Sequence, residues 1–361
     1  MTSQLETSYA EGDVENVLKI CLKTRQPILG LFLGKTKPTN TQEYYRRIEE
    51  LEEMVNTSTH NTTGITNTGK NGEDKLVTVK LMCNWCPSET LVNIWNKMSK
   101  GNYTWNRIRI TWEDPADYYV IINSPKPKDK FDPKKTIVFQ MEPDMKDDPS
   151  WNEWGDPRKE NFLRVFDHKE EYNNCEWHLS KTYTELSSQP VVKDRSLESV
   201  ISTVLSKKYK DVGHCKRIDF VKFLEKKGQV VHVFGDNSKE YANYKGNLPY
   251  HCKDEAIFPY KYTFNAENRD KKNYLTEKLF DGILGECLVF YCGCYNAREI
   301  IDSRAFVQLE LEDFEKDYAT IKKAIAEDWH SQRLPYIREA KKKILEELQF
   351  FPRLERVLKT C

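Results

Sequence analysis

Residues 265–282, NAENRDKKNYLTEKLFDG, set Glu267, Glu277 and Lys278 around the predicted mouth of a helix, just ahead of the apolar run CLVFY. Asn273 or Thr276 can cap that helix. Either choice puts Glu277 and Lys278 in its first turn, where free backbone N–H groups and the helix dipole attract an anion. Glu277 suits the dipole and Lys278 opposes it. A phosphate seated between the ammonium and the helix end offsets that conflict. Carboxylates beside such a phosphate can accept hydrogen bonds from hydroxyls, as acidic residues do with ribose in nucleotide crevices. The same residues also fit a solvated loop with a routine cap, because loops at strand ends are commonly polar.

Other residues offer competing chemistries. Cys83 and Cys86, in CNWC, have redox or zinc-knuckle spacing, but the chain has no partner Cys-x-x-Cys and no well-spaced His pair. A closed tetrahedral site is therefore not expected, and the two read as buried structural thiols. His214 and His251 fall in loops and read as surface or pocket-wall residues. Trp151 and Trp154, in WNEWGD, can stack on a sugar or bury themselves against the domain.

A chain of 361 residues accommodates two cores. Its 56 basic and 56 acidic side chains cancel, which argues against a nucleic-acid or anionic-membrane partner and leaves any anion to a local cluster. Ten irregularly spaced cysteines suit a reducing, cytoplasm-like compartment. The start lacks a leader pattern and ILGLFLG is too short to span a bilayer, so the chain reads as soluble, with no transmembrane segment.

The elements that must position the charged cluster follow from periodicity. Residues 40–55 carry Tyr44, Ile48, Leu51 and Val55 on one helical face, and 56–75 is too polar to bury a core and reads as a mobile loop. Together, 1–75 form a predicted helical extension. Apolar runs at 76–85, 117–123 and 136–143, with a helix pattern in SETLVNIWNKMSK, predict a parallel sheet covered on both faces. A second alternation of strands and helices spans about 195–325, with Gly228 closing the helix CKRIDFVKFLEKKG. The tail beyond it predicts two or three helices, one of which can cross back to the first domain. The fold class is α/β, with an acceptor-side domain at 76–190, a second at 195–325 and C-terminal helices at 326–361. Ligands of such folds bind beyond the carboxyl ends of the strands.

KYTFNAENRDKKNYLTEKLFDGILGECLVFYCG, residues 261–293, resembles the signature of the family 10 glycosyltransferases, the α-1,3-fucosyltransferases: an Glu-Asn pair, a variable stretch, Y-[VL]-T-E-K-[LI], a small residue and an apolar strand ending in Gly. Residues 199–235 are similar to the strand, Arg-x-x-Phe helix and V-x-x-[YF]-G strand that open the family's donor domain. TIVFQMEPDM resembles its strand ending in a catalytic glutamate, although Met141-Glu142-Pro143 stands where the family has Gly-Glu-Asn. VKLMCNWC is loosely similar to its first acceptor-side strand.

The resemblance implies a GT-B-like fold of two Rossmann-like doubly wound domains facing a cleft, and an inverting transfer of fucose from a GDP-sugar to a glycan or glycoconjugate hydroxyl. Arg217 and Lys278 would hold the diphosphate and Glu277 the ribose. Asn268 and Tyr274 would line the pocket, Glu267 would lie near the sugar, and Glu142 would be the general base. Trp151 and Trp154 would serve the acceptor side. A carboxylate at the end of a buried strand gains a raised pKa, which suits a base working near neutrality. The chain contains no Asp-x-Asp, the pattern that holds a divalent ion against the diphosphate in many other nucleotide-sugar transferases, so no essential metal is expected. Another nucleotide sugar, or a glycan-binding module without turnover, are the alternatives.

Overall fold

Twelve strands among the described residues form two sheets: β1 Val77–Cys83, β2 Thr104–Trp105, β3 Ile108–Thr111, β4 Tyr118–Ile122, β5 Thr136–Phe139 and β6 Arg164–Phe166 in the first, and β7 Ile201–Val204, β8 Val231–Phe234, β9 Tyr244–Gly246, β10 Tyr262–Ala266, β11 Leu288–Cys292 and β12 Phe306–Gln308 in the second. The computed structural model describes residues 76–142, 148–236 and 240–360, which belong to one compact unit, Glu73–Cys361. The helix read over 40–55 and the loop read over 56–75 lie outside the described residues.

The second sheet has the order β12-β11-β10-β7-β8-β9, and every neighbouring pair is parallel. The chain starts in the middle at β7, runs outward through β8 and β9, then returns to the other flank of β7 with β10. This doubly wound path leaves a crevice where the direction of travel reverses, beyond the carboxyl ends of β7 and β10. The first sheet repeats the plan in the order β2-β3-β1-β4-β5-β6, with only the β2–β3 pair antiparallel. Its reversal point lies between β1 and β4. β5 and β11 are buried along their whole length, as strands covered on both faces must be. The expected strands are present, and β2, β3, β6 and β9 are additional.

Among the described residues, six helices of at least eight residues cover the sheets: α1 Ser88–Trp95, α2 Val212–Lys226, α3 Glu277–Leu284, α4 Phe314–Ala326, α5 Trp329–Lys343 and α6 Phe350–Leu358. Gly228 follows α2 at φ +81°, a left-handed turn that ends the helix at low cost without a Cβ. The open choice of cap for α3 falls to Thr276, whose hydroxyl accepts from the Lys278 N–H.

The tail does cross back. Phe350 packs edge-on against Trp95 of α1, and Phe351 stacks over Trp105 of β2. Arg353 of α6 is fully buried and donates to the carbonyls of Asn174 (3.0 Å) and Tyr172 (2.9 Å). Its guanidinium also pairs with Glu171 at 3.3 Å and lies 4.3 Å from the Phe166 ring centroid, so a charge that burial would otherwise penalise is held by a carboxylate, two carbonyls and a π face. No helix among the described residues is long and apolar enough to cross a membrane.

Candidate active site

Beyond the carboxyl ends of β7, β8 and β10 opens a cavity of about 280 Å³, lined among others by Ser206, Lys208, Arg217, Asn268, Glu277 and Lys278. It occupies the reversal point of the second sheet. A neighbouring cavity of about 520 Å³ shares Asn268 with it and reaches the start of α2 at Val212 and Gly213. A Cβ on Gly213 would fall 2.3 Å from the Asn268 carbonyl oxygen, so only glycine lets α2 approach the loop after β10 this closely.

Arg217 reaches the cavity from α2, and its guanidinium donates to Asn268 Oδ1 (2.9 Å), the Ala266 carbonyl (3.2 Å) and Ser206 Oγ (3.3 Å). Lys278 enters from the first turn of α3, which the Asn265 amide ties to β10 by donating to the Lys278 carbonyl at 2.8 Å. The Lys278 ammonium lies 3.2 Å from Glu267, 3.5 Å from Glu277 and 3.1 Å from Thr276 Oγ1. Burial opposes its charge, but Glu267 and Glu277 outweigh it and hold its pKa above the ordinary lysine value. Burial likewise pushes Glu277 up, and Lys253, Lys278 and His178 override it, so its pKa ends well below the usual glutamate value. Lys253 reaches Glu277 at 3.0 Å and Asp281 at 2.8 Å.

Glu267 is expected near a sugar, but its carboxylate is taken up by the protein. It accepts from the Thr276 N–H (2.9 Å), the Thr276 hydroxyl (2.7 Å) and the Tyr291 hydroxyl (3.0 Å), and its side chain has no solvent exposure. Its role in the fold is to fix the start of α3. Tyr274, expected on the pocket wall, is instead buried and not part of the lining. Asn273 before it sits at φ +60°, with its backbone N–H donating to Asn296 Oδ1 and its side-chain amide to the His168 carbonyl.

Glu142 follows β5 on the opposite sheet. The chain leading to it is pinned from three directions: the Met141 N–H donates to Asn123 Oδ1 (2.7 Å), and the Asn173 amide donates to the carbonyls of Gln140 and Met141 at 2.9 Å each. Burial raises the Glu142 pKa; of the nearby charges, Lys278 and Lys208 lower it, while Glu277 and Glu267 raise it. All four of those residues belong to the second sheet's side, so the carboxylate lies within electrostatic reach of the cavity. Among the described residues Glu142 forms no ion pair.

The tryptophans divide. Trp154 packs its ring against Phe131 and Phe162 on the first sheet, and Trp151 is half-buried in the 3-10 turn Pro149–Gly155. The Cys83 and Cys86 sulfurs are 3.4 Å apart and unbonded, and burial pushes the Cys83 thiol up to about 12. Sequence reasoning did not single out Lys208, Lys253, Asp281 or His178, which carry no local pattern. The backbone N–H of His178 donates to Asp281 Oδ1 at 2.7 Å. Its ring stacks edge-on against His251 with centroids 4.1 Å apart, and burial followed by the neighbouring His178 pushes the His251 pKa down to about 3.

One sheet thus carries a cation-bearing crevice at its reversal point, and the other, parallel but for its β2–β3 pair, presents the carboxylate of Glu142. Residues 193–333 match the model described as glycosyltransferase family 10 (fucosyltransferase), C-terminal. The match covers that region alone, less than half of the chain, and supports a glycosyltransferase. No curated protein matches the chain. Among solved structures, an α-glucosyltransferase in complex with UDP and a 13-mer DNA is 10% identical, with 78% of this chain and 98% of that one covered and a TM-score of 0.51; the likeness is one of fold. An α-1,3-fucosyltransferase with GDP is 15% identical over 78% of this chain and 94% of that one, with a TM-score of 0.46.

Proposed function

We propose that the chain transfers fucose, or a closely related sugar, from a GDP-sugar to a glycan hydroxyl with inversion at the transferred carbon. The observation that carries this reading is the position of Glu142: a carboxylate of raised pKa, unpaired among the described residues, within electrostatic reach of Lys278 and Glu277 across the cleft. Inversion needs a base on the acceptor and a stabilised leaving group opposite it.

In this reading the diphosphate lies between Arg217, Lys208 and Lys278, whose cations meet the charge that develops as the glycosidic bond breaks. Glu277 accepts from the ribose hydroxyls, Asn268 contacts the nucleotide where the two cavities meet, and Glu267 holds Thr276 and Lys278 in register for the diphosphate. Glu142 takes the proton of the acceptor hydroxyl as it attacks. Trp151, half-buried on the turn that follows Glu142 in the chain, stacks on the acceptor in this reading, while Trp154 packs against Phe131 and Phe162. With this many cations in place the transfer requires no divalent ion at the diphosphate. The donor is tested by titrating the protein with GDP-fucose, other GDP-sugars and UDP-sugars and following binding and hydrolysis. GDP-fucose is expected to bind and turn over, and binding of a UDP-sugar in its place refutes the donor assignment.

A further inference from the structure

Glu176, His178 and His251 meet just behind the pocket wall, outside the groups assigned to transfer. One carboxylate oxygen of Glu176 and one ring nitrogen from each histidine lie within 4.8 Å of one another. Glu176 Oε1 and His178 Nε2 are 3.3 Å apart. Two ligands about 2.0–2.1 Å from a tetrahedral ion stand roughly 3.3–3.4 Å from each other, so this pair already has the spacing of a coordination edge.

Three further observations point the same way. His251 Nδ1 is buried and has no hydrogen-bond partner among the described residues, although its backbone is held at φ +53°. An orphaned buried nitrogen is costly unless something binds it. The other oxygen of Glu176 accepts from Trp95 Nε1 at 3.1 Å, which leaves Oε1 directed toward the imidazoles. The far nitrogen of His178, Nδ1, faces Glu277 Oε1 at 3.8 Å. A carboxylate at that distance stands behind a ligating histidine as an outer-shell charge rather than as a hydrogen-bond acceptor.

We propose that Glu176, His178 and His251 form a binding site for one divalent transition metal ion of the zinc class, completed by water. Two imidazoles and a carboxylate suit zinc better than magnesium or calcium, which take oxygen ligands. The ion would tie the chain between the sheets, which carries Glu176 and His178, to the loop of the second half that carries His251. Through Glu277 it would also brace the pocket wall. This is separate from the diphosphate, where no ion is required.

The test is metal uptake by the full chain after removal of adventitious metal with a chelator. Titration with Zn²⁺ against a chromophoric chelator is expected to show about one ion per chain and a raised melting temperature, with Co²⁺ giving the spectrum of nitrogen and oxygen ligands. Glu176→Gln and His251→Ala should each weaken uptake about tenfold or more, while Cys83→Ser with Cys86→Ser should leave it intact. Melting curves in chelator show whether each variant is folded, and His251→Asn serves as a second variant at the loop position. Absence of uptake by the folded wild-type chain overturns the proposal. So does uptake that survives both Glu176→Gln and His251→Ala, is lost with the cysteines, or shows thiolate-to-cobalt charge transfer.

Discussion

The buried carboxylate of Glu267 lies 3.2 Å from the ammonium of Lys278, with Thr276 bonded to both. An acid with no solvent exposure of its own therefore sets a cation on the pocket wall. Glu267→Gln keeps the shape but removes the charge that compensates Lys278, and an amide cannot accept at every position that the carboxylate does. Denaturant melts should show a loss of about 1–3 kcal/mol. A variant as stable as the wild type would remove Glu267 from this role.

Gly293 offers an independent approach to the same carboxylate. It sits at φ +145°, and a Cβ there would fall 2.4 Å from Glu267 Cγ. Gly293→Ala must therefore strain its own backbone and displace Glu267. The expected cost is about 1–3 kcal/mol in the same melts, and Glu267→Gln should recover little of it because the glutamine side chain is as long.

Burial raises the pKa of Glu142. A base acts only when deprotonated, so a raised pKa moves the acid limb of activity to higher pH. The kcat profile should fall as pH drops through a value above the ordinary glutamate range, with GDP affinity nearly flat across that step. Coincident limbs in kcat and in GDP affinity would assign the step to another group.

Arg353 joins the tail to the segment after β6 through two carbonyls, an ion pair with Glu171 and the Phe166 ring. Arg353→Ala removes those bonds and opens a hole between α6 and β6. The expected loss is about 3–5 kcal/mol of stability, and Arg353→Lys should rescue only part, since an ammonium lacks the planar fork that reaches both carbonyls. GDP affinity of the folded fraction should not change, because Arg353 contacts nothing in the cavity. A weakened GDP site would mean that the tail acts on the pocket.

Much of this architecture was legible in the chain, for reasons tied to particular elements. The strands β1, β4, β5, β8, β10 and β11 belong to apolar runs bounded by polar turns, and α3 announces itself through Thr276 and the run after it. β3 alternates as a half-buried strand should but is only four residues long, and β2 and β6 are two and three residues long, too short to stand out. Glu277 and Lys278 were visible because they follow a capping signal, and Arg217 only through the family resemblance of its Arg-x-x-Phe helix; all three line the cavity. The burial of Glu267 was not visible, since its partner Tyr291 lies 24 residues away across a parallel strand pair. Glu176 and His251 come together only through the path between the sheets, which leaves no spacing in the sequence.

The most direct measurement compares Glu142→Gln with the wild type in two assays on the same preparation: single-turnover transfer from GDP-fucose to a glycan acceptor, and GDP binding by calorimetry. Loss of the base should lower transfer by about 10²–10⁴-fold while GDP affinity stays within about a factor of two. Transfer at the wild-type rate would show that Glu142 is not the base and contradict the proposed division of labour between the two sheets.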